Sequence, residues 1–351
     1  MFRSMIAFGA VLVAVVAAQD TGPGTPVLQD APASRPTQLT SPELTSLPKG
    51  IRRSVPSVGG GIAREYPGDF GIRENKLVLF TEDFDSDQGL KSWTDRKGQV
   101  GVVVGGNNDT KCAEITASLA NGKASSGHLF KRLPYGEDEV FCRFYVNFKS
   151  PHDYVGHLVS LTGDVPAEPV PFRGDGICPD GNVRFMTSVE PFGHAGAFPP
   201  PGAWRLLSYW CEMEMDRIDN KYWGNGCGAK APVVATQDTW TCVEFMVRMN
   251  SSPLERDGIQ AYWVDGKLVA GFEGFRWRTA RNLQVNGVWL NYFMSAVAAS
   301  RQGSKQPLET STVRFDDVVV AKAYIGPKVK GTRKPLEKEP PEEPTPPTPS
   351  R

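Results

Sequence analysis

Apolar and polar residues alternate along short segments through the middle of the chain. Successive side chains of a β-strand point to opposite faces, so this alternation indicates half-buried strands. The segments are rich in aromatic and β-branched residues and are bounded by Gly, Pro, Asn or Asp, which predicts an all-β fold. The clearest are EVFCRFYVNFK, NVRFMTSVE, WRLLSYWCEMEM, WTCVEFMVRMN, IQAYWVDGKLVAGF, VNGVWLNYFMSA and STVRFDDVVVAKAYIG.

Turn signals and the lack of a helical period refine this prediction. Asp265-Gly266 stands between two apolar runs and predicts a tight β-hairpin. No long segment keeps a helical period, and residues 296–300 have room for one helical turn at most. So many strands in one domain favour two stacked antiparallel sheets in a jelly-roll sandwich.

The composition divides the chain into four parts. Residues 1–18 have a basic start, an apolar run and small residues at the end, which predicts a signal peptide. The mature protein is then expected to be secreted, periplasmic or on the cell surface, without a membrane span. Residues 19–60 and 328–351 are rich in Pro and poor in large apolar groups, so both are predicted to be disordered. The sandwich is predicted to occupy residues 61–327.

The charge of the chain argues against one class of partner. The sequence has 39 basic and 39 acidic residues and a formal net charge of zero. Neither sign is concentrated in one segment, whereas a nucleic-acid-binding face needs clustered Lys and Arg. Nucleic acid is therefore not expected as a partner.

Three segments resemble domains of the concanavalin A-like lectin and glucanase superfamily. VLFTEDFDSDQGLKSW is similar to their first strand, TWTCVEFMVRMNSSPLERDGIQAYWVDGKLVAGFEGF to their central pattern, and VRFDDVVVAKAYIGP to their closing strand. The match covers most of residues 77–327 and most resembles secreted bacterial polysaccharide-lyase-like jelly rolls. The resemblance implies an exported sandwich that engages polysaccharide. Because these motifs are structural, three functions stay open: polysaccharide binding without catalysis, a polysaccharide lyase, and a glycoside hydrolase.

Some strand residues have the chemistry that a polysaccharide lyase needs. Such an enzyme neutralises a uronate carboxylate, removes the C5 proton and protonates the leaving oxygen, for which Arg, Asn, His and Tyr are suited. His157 comes after the strand that contains Arg143, and in lyase-like relatives a polar residue at the matching place faces the sugar cleft. His152 follows a proline in a loop and is expected to be exposed.

A second lyase-like segment is WLNYFMS, which contains Asn291 and Tyr292. It resembles the tyrosine-bearing strand of alginate lyases, although the Lys-Ala-Gly that follows the aromatic pair in that family is absent. Adjacent strand residues face opposite sides, so only one of the two can reach a cleft. The candidate lyase residues are therefore His157, Tyr292 and Arg143.

Three carboxylates, Glu212, Glu214 and Asp216, alternate in the segment SYWCEMEMD. On a strand they would share one face at intervals of roughly 6.5–7 Å, close enough for the acid and base of a glycosidase. The row resembles the E-x-D-x-E row of concanavalin A-like glucanases but departs from it at the last two positions. Asp216 also leads into a charged loop with Arg217, where carboxylates stay ionised. We expect a polar sheet face or the rim of a sugar cleft, with hydrolysis as the alternative.

The loop NKYWGNG has a composition suited to binding a glycan. Sugar C–H faces pack on aromatic rings, and sugar hydroxyls hydrogen-bond to Asn, Asp, Glu and Arg. Tyr222 and Trp223 are therefore predicted to bind carbohydrate, because loops lie on the surface. Asn225, Arg184 and Asn291 are further carbohydrate-binding candidates, while most other Trp and Tyr residues are expected in the core.

The six cysteines suggest disulfides, because their number is even and the chain is expected to be exported. Sequence alone cannot choose among the pairings. Cys178 and Cys227 lie in Gly-rich loops and form the most plausible pair. Cys142, Cys211 and Cys242 lie inside predicted strands, where buried free thiols are the alternative. No C-x-x-C motif or Cys/His cluster is present, so zinc is not expected.

Four acidic residues lie near the two ends of the predicted sandwich, namely Glu82, Asp83, Asp316 and Asp317. Carboxylate oxygens are the ligands that Ca²⁺ prefers, so a structural Ca²⁺ is conceivable there. The commoner explanation is that these are ordinary acidic strand ends. No other cofactor is expected.

Overall fold

The computed structural model describes residues 37–39, 60–86, 88–119, 124–170 and 176–331. The predicted signal peptide, most of the predicted linker and most of the predicted tail lie outside these ranges. Within the predicted linker, Thr37–Leu39 forms a strand. In the part of the chain that the structure describes, no helix is long and apolar enough to cross a membrane.

The described elements are mostly strands, as the alternating pattern predicts. In chain order they are β1 (Thr37–Leu39), β2 (Val78–Glu82), β3 (Asp95–Lys97), β4 (Gln99–Val104), β5 (Lys111–Ser118), β6 (Ser125–Glu137), β7 (Glu139–Lys149), β8 (His157–Asp164), β9 (Arg184–Phe192), β10 (Ala203–Tyr209), β11 (Asn225–Gly228), β12 (Thr241–Arg248), β13 (Gly258–Val264), β14 (Lys267–Phe275), β15 (Val285–Met294) and β16 (Thr310–Ala321). Short 3-10 helices cover Ile62–Glu65, Pro67–Asp69, Ile72–Glu74 and Gly89–Ser92, and an α-helix covers Ala296–Gln302.

Over the described residues, these strands form two antiparallel sheets. The nine-stranded sheet has the order β1-β14-β13-β12-β7-β16-β5-β4, with β2 also paired to β16. The seven-stranded sheet has the order β11-β10-β9-β8-β15-β6-β3. Neighbours in space are often distant in sequence, as expected of a jelly roll. The predicted all-β, two-sheet architecture is confirmed.

The predicted Asp265-Gly266 hairpin joins β13 to β14. Both turn residues have positive φ, 49° and 73°, as a type I′ turn requires. The Asp265 carboxylate also accepts a hydrogen bond from the backbone N–H of Cys242 at 3.0 Å. The turn sets the register in which Val264 lies opposite Lys267.

The apolar faces of the two sheets pack against each other. On β7, alternate residues such as Cys142, Phe144 and Val146 point between the sheets. Phe144 meets Phe245 of β12 and Phe315 of β16 edge to face, with ring centroids 6.5 and 6.1 Å apart. Aromatic pairs in this geometry add roughly 0.5–1.5 kcal/mol beyond their buried area.

A buried polar pair, His152 and Tyr292, lies within this core. The expectation of an exposed His152 is wrong, because the side chain packs against Phe148 and only 4% of the residue is exposed. Nδ1 lies 2.6 Å from the carbonyl oxygen of Asp153, and Nε2 lies 2.8 Å from the Tyr292 hydroxyl. A carbonyl only accepts, so Nδ1 carries the proton and Nε2 accepts from Tyr292. Burial lowers the pKa of His152 to about 4 and keeps the ring neutral.

Acidification is expected to weaken the fold through His152. Its ordinary pKa is 6.5 and its folded pKa is about 4. Between these values the unfolded chain binds a proton that the folded protein does not. The contribution of His152 to stability is therefore fully present above pH 6.5 and decreases as the pH drops below 6.5. The His152 contribution to the free energy of unfolding should drop by about 2–3 kcal/mol between pH 7 and pH 4.5. Urea unfolding at both pH values measures this change.

The matched protein for that measurement is His152→Gln, which removes the titrating ring. Burial raises the pKa of Glu244 to about 7 and the pKa of Asp316 above its ordinary value, so these groups act in the opposite direction. The difference between the pH dependence of the two proteins therefore isolates His152. Identical pH dependence in wild type and variant would contradict the prediction.

The outer face of the nine-stranded sheet is covered by the segments at residues 61–75 and 322–331. Ile62 and Tyr324 pack with Trp263 of β13 in a small apolar cluster. The backbone N–H of Ile62 donates to the carbonyl of Tyr324 at 3.1 Å, which joins the two segments. At Gly61 a Cβ would lie 2.1 Å from the carbonyl oxygen of Ile325, so the close approach of the segments requires glycine.

Two ionisable groups lie beneath this cover. Arg143 of β7 is fully buried and forms an ion pair with Asp69. Glu244 of β12 accepts hydrogen bonds from the N–H groups of Ile325 and Gly326 at 2.7 and 2.8 Å. Arg143 was predicted as a lyase residue, but the alternation of β7 turns it to the covered face, on the sheet opposite His157.

The predicted disulfide between Cys178 and Cys227 is absent. All six cysteines lie within the described residues and all are free. The thiol of Cys227 contacts the Gln260 side chain of the opposite sheet. The thiol of Cys178 lies instead near the main chain that follows β10, 3.8 Å from the carbonyl oxygens of Trp210 and Cys211. The two side chains have different neighbours because Cys227 is part of β11 and not of a free loop.

Candidate functional site

A cleft of about 1040 Å³ lies on the outer face of the seven-stranded sheet. Ligand sites typically have volumes of roughly 300–1,000 Å³. The lining mixes charged, amide and aromatic side chains from β3, β6, β8, β9, β10 and β15. Its polar and aromatic members are Asp95, Lys97, Ser126, His128, His157, Asp164, Glu168, Arg184, Tyr209, Trp223, Trp289, Asn291 and Phe293.

Strand β15 supplies much of the cleft floor through its alternation. Asn291 and Phe293 line the cleft. Asn291 lies opposite His128 on β6, and Phe293 lies opposite His157 on β8. Tyr292, between them, points into the core and is fully buried. Of the two adjacent candidates, Asn291 is the one that faces the cleft, and Tyr292 is too deeply buried to contact a ligand there.

His157 is oriented by a buried carboxylate. Its Nδ1 lies 3.2 Å from Oε2 of Glu190, whose side chain is 1% exposed, while 24% of the His157 side chain is exposed. A carboxylate accepts, so a neutral His157 carries its proton on Nδ1 and leaves the lone pair on Nε2. The other Glu190 oxygen accepts a hydrogen bond from Arg205 at 3.0 Å. The arrangement can stabilise an imidazolium when Nε2 takes up a proton.

Arg205 is itself held in place by packing. Its guanidinium carbon lies 3.4 Å from the ring centroid of Phe192, a cation–π contact. Only 13% of its side chain is exposed. The chain His157–Glu190–Arg205 therefore crosses three neighbouring strands, β8, β9 and β10, which fixes its geometry.

A second histidine lies across the cleft. His128 Nε2 is 2.8 Å from a carboxylate oxygen of Asp95, and its ring meets Trp289 edge to face with centroids 5.6 Å apart. The floor thus has a histidine–carboxylate pair on each side of Asn291.

The rim of the cleft carries Trp223, one of the predicted sugar-binding residues. It is 39% exposed, its indole N–H donates to Asp219 at 2.7 Å, and its carbonyl accepts from the Tyr209 hydroxyl at 2.8 Å. Arg184 also lines the cleft. Tyr222 packs against the core instead, and Asn225 uses its amide to hold the main chain of Glu214 at 2.6 and 3.0 Å. Tyr222 and Asn225 are therefore not among the residues that line the cleft.

The carboxylate row at residues 212–216 does not form on a strand. Strand β10 ends at Tyr209, because Met213 N–H donates to Trp210 O and both of these side chains pack into the core. Glu212 is held by Arg256 and Arg276 at 2.7 and 3.5 Å. The three carboxylates therefore do not share one face of a strand. None of them is among the residues that line the cleft.

The acidic residues considered for Ca²⁺ have protein donors around them. Asp316 accepts from the N–H of Asn107 at 2.7 Å, and Asp317 accepts from Lys328 Nζ at 2.6 Å. Glu82 accepts from the N–H of Phe84 at 3.0 Å. Among the described residues, no group of three or more His, Cys, Asp or Glu side chains is arranged to hold a metal.

Asp317 and Lys328 also line a smaller cavity of about 550 Å³ at the cover of the nine-stranded sheet. Asp69, which lines the same cavity, is paired with Arg143. These charges compensate each other inside the protein. The cleft on the seven-stranded sheet is therefore the stronger candidate site.

Of the residues predicted from the sequence, His157, Arg184, Asn291 and Trp223 line this cleft, while Glu190 was not among the predictions. The signal for Glu190 was its place in the strand segment NVRFMTSVE. An acid enclosed among apolar strand residues is buried only with a partner. The partners His157 and Arg205 come from neighbouring strands, and sequence alone does not show which strands are neighbours.

Three solved structures are similar to this chain over about 70% of its length. An alginate lyase from Aplysia kurodai is similar with a TM-score of 0.52 and 11% identity, covering 70% of this chain and 99% of that chain. An alginate lyase from Chlorella virus has a TM-score of 0.47, 13% identity and coverages of 70% and 99%. An endo-β-1,4-glucuronan lyase from Trichoderma reesei has a TM-score of 0.46, 13% identity and coverages of 70% and 96%.

At 11% identity, the similarity to the Aplysia kurodai enzyme establishes the fold alone. No protein-family model and no curated protein sequence matches the chain. The protein has a two-sheet jelly-roll fold, which it shares with the alginate lyase from Aplysia kurodai. The predicted jelly-roll fold is confirmed.

Proposed function

We propose that the protein binds an acidic polysaccharide in the cleft of the seven-stranded sheet and cleaves it by β-elimination. The observation that carries the proposal is His157, with Nδ1 held by the buried Glu190 and Nε2 left to act as a base. Asn291 and Arg184 line the same cleft and suit a uronate carboxylate. The fold shared with the alginate lyase from Aplysia kurodai supports the choice of an acidic polysaccharide.

The proposed reaction begins at the proton next to the uronate carboxylate. Hydrogen bonds from Asn291 and Arg184 to the carboxylate make this C5 proton more acidic by stabilising the charge that develops. His157 Nε2 removes the proton, and Glu190 stabilises the resulting imidazolium. The C4–O bond breaks as the C4–C5 double bond forms, and the imidazolium returns its proton to the leaving oxygen.

Two other functions were open from the sequence. Polysaccharide binding without cleavage would use the same cleft as the proposed lyase activity. The two functions differ only in whether the bound chain is cleaved, which is decided by experiment. Hydrolysis by Glu212, Glu214 and Asp216 has less support, because these acids do not share a strand face and Glu212 is paired with Arg256. The proposed lyase chemistry uses groups that the cleft brings together.

The test is a panel of polysaccharides incubated with the purified protein. Alginate and glucuronan are the acidic members, and a neutral β-glucan is the control. A lyase generates an unsaturated uronate that absorbs in the ultraviolet, whereas a hydrolase generates reducing ends without that absorbance. Retardation in a gel that contains the glycan, without either product, would leave binding as the function. Neither retardation nor product with any uronate polymer would overturn the proposal.

Trp223→Ala is expected to weaken binding of the polysaccharide. The exposed ring at the rim offers a face for a sugar, and its loss should raise Kd about tenfold, equal to about 1.4 kcal/mol. Affinity electrophoresis in gels with increasing glycan measures this shift. Ile218→Ala is the matched control, because Ile218 is 77% exposed near the same loop but is not among the residues of the described lining. Equal Kd values for the two variants would contradict a role for the indole ring.

We also propose that the protein is exported and that residues 61–327 form its stable unit. The apolar leader and the Pro-rich ends support this organisation. N-terminal sequencing of the exported protein should begin near Gln19, and limited proteolysis should remove the ends first. A first cut inside residues 77–327 would contradict the boundaries.

A further inference from the structure

Two thiols lie beyond the end of the ladder between β9 and β10, next to the cleft. The last pair of this ladder is Tyr209 with Met186, and both residues line the cleft. Cys211 follows Tyr209 closely in sequence, and Cys178 lies in the segment that leads into β9. The two cysteines therefore flank the same end of the same strand pair.

The main chain brings these two cysteines together. Cys178 Sγ lies 3.8 Å from the carbonyl oxygen of Cys211. A Cβ on Gly181 would lie 3.0 Å from Sγ of Cys211, and Gly181 has a φ of +80°. The turn from Cys178 to Gly181 therefore packs directly on the Cys211 side chain.

The other four cysteines have different surroundings. Cys112, Cys142 and Cys242 are buried within β5, β7 and β12, and Cys227 contacts Gln260 of the opposite sheet. Cys178 and Cys211 are each only half-buried, as Cys227 is, so a small oxidant can reach them. Their proximity to each other singles out this pair.

We propose that Cys178 and Cys211 form a disulfide when the protein meets a small disulfide such as oxidised glutathione. One cysteine thiolate attacks a sulfur of the oxidant, and one glutathione leaves as its thiolate. The second cysteine thiolate attacks the mixed disulfide and releases the second glutathione. The protein loses two electrons and two protons, and one oxidised glutathione becomes two reduced ones. This site is independent of the activity proposed for the cleft.

Burial also sets the conditions under which the bond forms. It raises the pKa of Cys211 to about 11 and raises the pKa of Cys178 above its ordinary value. The attacking species is the thiolate, whose fraction rises about tenfold per pH unit below the pKa, so the reaction should be roughly 30-fold faster at pH 8.5 than at pH 7.

The bond would join the two segments that border the end of the cleft, residues 176–183 and 210–216. A cross-link between them restricts the unfolded chain, and the oxidised protein should melt roughly 5–10 °C above the reduced protein. The melting shift provides a readout that does not depend on catalysis.

The experiment uses the full chain, reduced, freed of reductant and incubated with oxidised glutathione at pH 8.5. Remaining thiols are blocked with N-ethylmaleimide, and the protein is digested without reduction for mass spectrometry. We expect one cross-linked peptide pair that contains Cys178 and Cys211 and disappears on reduction. Cys178→Ser and Cys211→Ser should each lose the pair and the melting shift, whereas Cys227→Ser should keep both.

Three results would overturn the proposal. They are a cross-link from Cys178 to Cys227, glutathione adducts without a cross-link, and unmodified cysteines after oxidation. Circular dichroism confirms that each variant is folded, so loss of the cross-link cannot be assigned to unfolding.

Discussion

His157→Gln is expected to lower the rate of β-elimination by roughly 10²–10⁴-fold, which is the usual contribution of a general base. The glutamine amide can still contact Glu190, but it has no nitrogen lone pair that can accept the C5 proton. The Kd for the polysaccharide should change only a few-fold, because Asn291, Arg184 and Trp223 still line the cleft. Initial rates of ultraviolet absorbance, with affinity electrophoresis on the same samples, separate chemistry from binding.

Two further variants sharpen that experiment. Glu190→Gln keeps the shape of the side chain but removes the charge that stabilises the imidazolium, so we expect a loss of roughly 10²–10⁴-fold in kcat. Glu214→Gln is the control, because Glu214 lies outside the cleft lining, and its rate should stay within a few-fold of wild type. Wild-type rates in His157→Gln, or an inactive but folded Glu214→Gln, would favour a different site.

The strands of this fold are readable from sequence because their alternation is local. In β7 the segment EVFCRFYVNFK sends Phe144 to the core and Tyr145 to the opposite face, and the structure follows this pattern. The Asp265-Gly266 turn is equally local, since both residues tolerate positive φ. Fold class and hairpin position therefore follow from residues that are neighbours in the chain.

The carboxylate row shows where this local reasoning fails. Alternation continues from Tyr209 to Asp216 in the sequence, but the strand stops at Tyr209. Trp210 and Met213 both pack into the core, and Glu212 pairs with Arg256 and Arg276 from a distant part of the chain. Tertiary contacts of this kind override the strand that the alternating sequence pattern predicts.

The candidate site was only partly predictable for a related reason. The sequence could say that one of Asn291 and Tyr292 faces a cleft, but not which one. That choice depends on the register of β15 with β8, which shifts between Leu290 and Phe293. The pairing of His157 with Glu190 likewise depends on β8 and β9 being neighbours. Such non-local contacts are set by the whole fold.

Asp69→Asn is expected to cost about 3–5 kcal/mol of the free energy of unfolding, because it removes the partner of a fully buried charge. Arg143 is 0% exposed, and its Nε and Nη1 have no hydrogen-bond partner among the described residues. Burial lowers the pKa of Arg143 and the neighbouring Asp69 raises it. The net effect is an increase, so the guanidinium stays charged. Asparagine tolerates the φ of 60° at this position, so the change removes charge and leaves the backbone unstrained.

Asp238→Asn is the matched control for this prediction. Asp238 also has a positive φ, 53°, and pairs with Lys149 at 2.6 Å, but 49% of the Asp238 side chain and 34% of the Lys149 side chain are exposed. A surface ion pair contributes about 0–1 kcal/mol, so this variant should unfold within about 1 kcal/mol of wild type in urea. Adding Arg143→Met to Asp69→Asn should recover much of the loss, because the unpaired guanidinium is then no longer buried beneath the cover. Equal stabilities for Asp69→Asn and Asp238→Asn would mean that water reaches Arg143 and that the cover over the nine-stranded sheet is open in solution.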